Sequence, residues 1–384
     1  MTPVRVAAIA RKEWREIVRD RVFVMLAFLL PVVLMFVLGY GLTQDVENMP
    51  LAIVDYDRTA ASRDYAQHFI GSRYFRFAGY VNGVQEAERL MASGRVRAVV
   101  VIGERFERQL GEGRRVAVQT LVDGTFVNSA RVLKGYLEAI NANAAFAVAR
   151  ASVSRRLGVS DARADVLTRP LRLDIRYLYN QELRSIWAIA PSLIMNILLW
   201  TSPLLMALSV IREKESGSIY NIYSSETTRL DFLLGKLLPC AGIAFVNGVV
   251  LWAMATWYFD APFKGGAAAF LAATAVFVLS TTALGLLVSS WVRTQPAALM
   301  LVMIIGAIVG MQFSGMFTPV VSLPLPNRVI AHLFPAMYYN NVVQETFLKG
   351  AGFADTWPDI AVTALFAVGA FGLSYLSFHK RVAV

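Results

Sequence analysis

Five runs of this sequence, residues 22–42, 186–211, 266–291, 297–320 and 360–378, contain no Asp, Glu, Lys, Arg or His. A sixth, residues 232–259, contains only Lys236. Bilayer hydrocarbon is about 30 Å thick and about 20 apolar helical residues cross it. Each run is therefore long enough to span, and the predicted fold is an α-helical polytopic membrane protein with about six transmembrane helices. Residues 22–42 are too long for the roughly 7–15-residue core of a signal peptide, and no small-x-small cleavage site follows; the run is read as a retained helix. Pro31 is tolerable inside it where neighbouring helices satisfy the freed carbonyl.

The remaining charge is unevenly spread. Only 17% of residues are charged against 56% hydrophobic, and most of the charge lies between about residues 45 and 184. The order is membrane, water, membrane. Within residues 43–185 the apolar period shifts between two and about four. Strands are predicted at 51–55, 74–81, 96–102 and 116–122, with helices at 61–70, 84–92 and 104–110 between them. That alternation implies a small α/β layer domain inserted between the first and second spans. Residues 129–156 read as one long Ala-rich helix, able to stand as a stalk. Asp55, Asp57 and Asp123 end strands, where turn or capping roles are expected.

Orientation follows from Lys and Arg in the short flanks. With a cytoplasmic N-terminus, the inner flanks hold Arg5, Arg11, Lys12, Arg15, Arg19, Arg21, Arg212, Lys214, Arg229, Arg293, Lys380 and Arg381, whereas the short outer loops hold only Lys264, Arg328 and Lys349. Both termini are thus expected inside and the α/β domain outside. Segment 321–359 is broken by Pro324, Pro326 and Pro335 but keeps Phe334, Met337, Tyr338 and Tyr339; it is expected to form outer re-entrant or interfacial helices. Residues 379–384 form a cytoplasmic tail. Residues 1–21 read as an amphipathic inner helix, with Trp14 suited to the interface and Arg15, Arg19 and Arg21 to anionic lipid headgroups.

Several functions are disfavoured. The net charge of +10 is attributed to basic helix flanks, since no nucleic-acid-binding pattern accompanies it. Cys240 is the sole cysteine, so no intrachain disulfide can form. The three histidines, His68, His332 and His379, are scattered, and no metal or catalytic cluster is visible. Ion-driven carriers place titratable groups at membrane depth, but here Asp359 and Lys236 fall at predicted span ends, where interfacial placement costs little. A proton relay is not expected. The phosphate cradle G-x-x-x-x-G-K-[ST] is also missing; residues 235–237 lack its first glycine and its hydroxyl. If the chain pumps, another polypeptide must hydrolyse the nucleotide.

The inner loop at residues 212–230 opens with alternating charges, continues through Gly217 and Ser218, and places Ile219 and Ile222 at helical spacing. Such a helix can lie on the inner surface and present a face to a partner. Asn196, Asn247 and Gln312 are amides predicted at membrane depth; Asn196 and Gln312 are pathway candidates, and Asn247 a helix-to-helix hydrogen bond.

These segments resemble the permease subunits of ABC-2-type export systems, especially the bacterial drug-export-like group with a large periplasmic domain. Residues 10–21 (ARKEWREIVRDR) are similar to that family's connecting helix, and 179–185 (YNQELRS) to the entry into its second span. Residues 212–218 (REKESGS) and 228–236 (TRLDFLLGK) resemble its coupling loop and third-span start. Residues 285–290 (GLLVSS) with 293–296 (RTQP), and 312–319 (QFSGMFTP), resemble later signatures. Glu226 departs from the pattern, because the family often has proline there.

The resemblance implies a bacterial inner-membrane exporter of an amphipathic, drug-like or lipid-like solute. This chain would bind no cofactor; ATP and Mg would sit on a separate ABC ATP-binding subunit. Glu213, Glu215, Gly217, Ser218, Ile219 and Ile222 would carry the contact with that subunit. A second permease, identical or sister, would complete the pathway, with membrane lipids around it and a periplasmic adaptor and outer-membrane channel as further candidate partners. A non-transporting scaffold or sensor, using the outer domain to bind an envelope partner, is the competing reading.

Overall fold

The structure, a computed structural model, describes residues 3–42, 48–168, 176–218 and 227–378. It divides into two compact units: Met1–Thr43 with Tyr177–Val384, and Gln44–Arg176.

The second unit is built on a four-stranded sheet of β1 (Met49–Asp55), β2 (Phe75–Val81), β3 (Ala98–Ile102) and β4 (Gln119–Val122), in the order β2-β1-β3-β4. The first three strands are parallel and β4 runs antiparallel to β3. Helices Ala60–Ile70, Val84–Ala92 and Phe106–Gly111 alternate with the strands, as the changing period required. A central strand covered on both faces reads as a continuous apolar run. Accordingly Leu51 and Ile53 join one core with Phe69, Phe75 and Phe106, while Ala52 and Val54 join the other with Ala87 and Val99.

The strand-end aspartates are structural. Asp55 accepts from the backbone N–H groups of Asp57 (3.0 Å) and Arg58 (2.9 Å) and from the Ser62 hydroxyl (2.7 Å). Asp57 accepts from the Thr59 hydroxyl and the Glu107 N–H, and Asp123 pairs with Arg97. The long helix runs Val127–Leu157, but it is not a free stalk. Leu133, Leu137 and Ala144, spaced for one helical face, are buried in the first of the two cores.

Among the described residues of the other unit, helix Pro3–Arg19 precedes six helices long and apolar enough to span: Arg21–Gly41, Ser185–Glu215, Arg229–Tyr258, Ala267–Trp291, Gln295–Phe313 and Phe353–Ser377. The second is the hub. Its apolar window is 94% buried, against 22% for the sixth. Small residues let neighbouring backbones approach it: a Cβ on Gly285 of the fourth span would lie 2.4 Å from the Pro203 carbonyl oxygen.

Two boundaries differ most from expectation, each by seven residues. The fifth span ends at Phe313 because Gly315 turns the chain at φ +83°. The sixth begins at Phe353, seven residues early, because the Asp355 carboxylate accepts from the Gly352 N–H (3.0 Å) and caps the helix. Between them lie helices Leu325–His332 and Pro335–Gln344. The second is anchored by Tyr339, which is buried, stacks on Phe277 with centroids 4.2 Å apart, and shares a 2.8 Å hydrogen bond with Thr274.

Candidate energy-coupling site

Helix Pro3–Arg19 has two unlike faces. Val4, Trp14, Arg15, Val18 and Arg19 are exposed, and Arg21 just beyond it is also exposed. Val6, Glu13 and Ile17 are buried. The buried face lies on the third span, where Gly235 admits it: a Cβ there would lie 2.7 Å from the Ile9 side chain. That close approach brings Glu13 to Lys236, the next residue.

Lys236 is 1% exposed and Glu13 3%. The ammonium donates to Glu13 Oε2 (2.6 Å), Ser209 Oγ (2.9 Å) and the Ser209 carbonyl (3.3 Å), with Glu213 Oε2 at 3.4 Å. The Ser209 hydroxyl donates to the other Glu13 oxygen. Glu213, one turn beyond Ser209 on the second span, accepts from Lys12 Nζ at 2.8 Å. Two carboxylates and two ammonium groups thus close one network across the connecting helix and the second and third spans. Lys236 is not the interfacial side chain expected at a span end. It is enclosed by protein, because the connecting helix folds back over it.

Burial pulls the Lys12 ammonium down, but the hydrogen bond and charge of Glu213, helped by Glu16, outweigh this and leave its pKa above 10.5. Oxygens of Glu13, Glu16 and Glu213 lie within 4.8 Å of one another, and Lys12 and Lys236 already supply the cations there. A buried ion pair is worth little against a well-packed apolar replacement, yet removing one partner costs about 3–5 kcal/mol. Such a network fixes register between helices more than it adds stability.

The rest of the charged run is equally engaged. Arg212 pairs with Asp20, which also accepts from the N–H groups of Val22 (2.9 Å) and Phe23 (3.4 Å) and so caps the first span. Lys214 donates to the Ser289 carbonyl at the end of the fourth span. Glu215 accepts from the Gln295 N–H (3.0 Å) and side-chain amide at the start of the fifth. Residues 212–215 therefore tie the end of the second span to the connecting helix and the first, third, fourth and fifth spans. The resemblance implies a partner contact for Glu213; in the structure its carboxylate is buried and faces Lys12 and Lys236. Gly217 follows at φ +75°, a left-handed conformation suited to glycine. Ser216 and Ser218 line a cleft of about 1030 Å³ with Glu16, Arg19 and Arg212. Ile219, Ile222 and Glu226 lie outside the described residues.

The two pathway candidates are not brought together. Asn196 is buried with its Nδ2 toward the Met316 sulfur (4.0 Å), whereas Gln312 is exposed. Asn247 donates to the Ala27 carbonyl (2.6 Å), joining the third span to the first.

The family model for the ABC-2 family transporter protein matches residues 21–376. The chain belongs to that family. It is 28% identical over 384 residues to the probable multidrug ABC transporter permease YbhS of Escherichia coli, covering 98% of this chain and 97% of that one. Identity to the probable multidrug ABC transporter permease YbhR of the same organism is 25%, over 98% and 99%. To the linearmycin resistance permease protein LnrN of Bacillus subtilis it is 20%, over 90% and 92%. The chain is thus a multi-pass ABC-2 membrane permease subunit of an exporter, and membership implies an ATP-binding partner subunit. In this ABC-2 permease, Glu13, Ser209 and Lys236 were missed as site residues. The available signal was a carboxylate on the apolar face of Val6, Ile9 and Ile17, and one lysine in an otherwise apolar run.

Proposed function

We propose that this permease moves an amphipathic, drug-like or lipid-like solute out of the cytoplasm or inner membrane, driven by ATP hydrolysed with Mg on a separate subunit. A second permease, identical or sister, completes the pathway. Both termini are cytoplasmic in this reading. The unit Gln44–Arg176 is periplasmic and available to an adaptor and, through it, an outer-membrane channel. The Lys and Arg asymmetry of the short flanks supports that orientation, and the use of the name multidrug for YbhS and YbhR supports the solute class.

The observation that carries the mechanism is the network of Glu13, Lys236 and Glu213 beside the residues expected to meet the ATPase. Glu215, Gly217, Ser218, Ile219 and Ile222 form the contact, and Glu213 acts behind it. A displacement of the loop cannot be absorbed locally, because residues 212–215 are bonded to the connecting helix and four other spans. It must move those helices together.

The test is reconstitution of the permease with its ATP-binding subunit in vesicles, measuring ATP turnover and dye efflux together. Glu13→Gln keeps the shape of the side chain and weakens the ion pair. It should retain the complex and its ATP turnover while lowering dye moved per ATP by about tenfold, the scale of a 1.4 kcal/mol coupling loss. Unchanged efflux per ATP would reject the coupling role. Pumping by the permease alone on an ion gradient would reject the ATP-driven reading.

A further inference from the structure

A cavity of about 720 Å³ lies at the opposite end of the second span from the ion network, under the segment joining the fifth and sixth spans. Ala188 lines it, whereas Glu213 lies 25 residues further along the same helix, or about 37 Å at 1.5 Å per residue. Its described lining holds three basic side chains, Arg328, His332 and Lys349, and no carboxylate. Of the acids on adjacent elements, Glu345 pairs with Lys349 at 3.1 Å and Asp359 bonds Asn341. The apolar lining includes Met316, Phe317, Val320 and Met337.

Two polar atoms here have no partner among the described residues. Asn340, 2% exposed, donates through Nδ2 to the Ser314 carbonyl at 3.1 Å, which fixes its amide orientation and leaves Oδ1 as an unused acceptor. Arg328 bonds the Val321 and Leu323 carbonyls through Nη2 and leaves a buried Nε–H unused. Native proteins rarely leave such groups unpaired, and each exception needs an explanation. Asn196 Oδ1 is a third unpaired atom, and the Nδ2 of the same amide lies 4.0 Å from the sulfur of Met316, a lining residue.

We propose that this cavity binds an amphipathic organic anion that also carries an O–H or N–H donor. The acid group meets Arg328, His332 and Lys349, the donor satisfies Asn340 Oδ1, and the apolar part lies along Met316, Phe317 and Met337. His332 donates Nδ1–H to the Arg328 carbonyl (2.8 Å), so Nε2 is the nitrogen left for a ligand: it donates to the acid group as an imidazolium and accepts from the ligand's O–H or N–H as a neutral ring. As a substrate site this rests on the exporter reading; binding itself does not.

The experiment uses the purified full chain without its ATPase, with native mass spectrometry counting retained lipid. The probes are phosphatidylglycerol, which has a phosphate and hydroxyls, phosphatidylmethanol, which has the phosphate but no donor, and phosphatidylcholine. Wild type should retain phosphatidylglycerol at least tenfold over phosphatidylcholine. Changing His332→Glu together with Lys349→Glu, both exposed, should abolish that preference. Asn340→Leu should weaken phosphatidylglycerol about fivefold, the scale of one hydrogen bond, and leave phosphatidylmethanol unchanged.

If that variant does not fold, the charge variant decides alone. Displacement of phosphatidylglycerol by taurodeoxycholate would mean that free amphiphiles enter, and persistence would mean a lipid headgroup site; both support it. Equal retention of all three lipids by wild type and variants overturns it. A complex that pumps yet shows no lipid preference would sink this site and leave the exporter reading standing.

Discussion

The two ends of the second span bury polar groups in opposite ways. At the Glu213 end, Lys236 and Lys12 meet Glu13 and Glu213, each of these four charges has a counterion, and the buried oxygen that lacks a hydrogen bond, Glu213 Oε2, still lies 3.4 Å from Lys236 Nζ. At the Ala188 end, Asn340 and Arg328 keep unused hydrogen-bonding atoms beside an open cavity. A closed network holds helices in register and resists loss of any member. An open one costs stability and leaves atoms ready for a ligand. Substitutions at the two ends should therefore differ greatly in cost.

The largest effect is expected at Lys236. Lys236→Met removes the cation that touches both carboxylates and leaves Glu13, in a buried site, without a counterion among the described residues. A loss of about 3–5 kcal/mol is expected from denaturant unfolding of the full chain. The triple change Glu13→Gln, Lys236→Met, Glu213→Gln should recover most of it, because no charge is then buried unpaired. A single substitution costing under about 1 kcal/mol would mean that the network is not closed as described.

The spans and the sheet were legible because their signals are local. A charge-free run, or a short continuous apolar run such as residues 51–54 between Pro50 and Asp55, declares itself within one element. The network was not legible, since it joins positions 13, 209, 213 and 236 through helix packing. Reading Lys236 as an interfacial residue at a span end follows from viewing its helix alone. The docking point of the connecting helix, Gly235, lies within a motif that the sequence did flag, but only the structure gives that glycine a reason.

Gly285→Ala comes next. The added Cβ would sit 2.4 Å from the Pro203 carbonyl oxygen and 2.7 Å from its Cα, and backbone cannot rotate aside as a side chain can. The fourth span must shift from the hub, at an expected cost of about 1–3 kcal/mol. Because this contact lies between the two ends, the substitution should lower unfolding stability without changing lipid preference. A changed lipid preference would show that the cavity depends on the hub's packing.

Lys12→Met should cost less, although Lys12 shares Glu213 with Lys236. Its side chain is 47% exposed, so solvent screens the pair and a loss below about 1 kcal/mol is expected. The pH dependence gives the sign. A lysine whose folded pKa is raised contributes fully below its unfolded value near 10.5 and loses that contribution as pH rises through the folded value. Wild type and Lys12→Met should therefore differ by a constant amount from pH 7 to 9 and converge above about pH 10.5. A gap that closed already by pH 8 would contradict the assignment.

The smallest cost belongs to the open end. Asn340→Leu removes the unused Oδ1 together with the Nδ2 bond to the Ser314 carbonyl. Relieving a buried unpaired acceptor gains about 1–3 kcal/mol, while orphaning the Ser314 carbonyl loses an amount of the same order. The net change should fall within about 1 kcal/mol of zero, the reverse of the cost at Lys236 for a residue just as buried. Denaturant unfolding of the two variants side by side makes the contrast direct. If Asn340→Leu proved as damaging as Lys236→Met, Asn340 would be a closed structural contact, and the difference between the two ends would disappear.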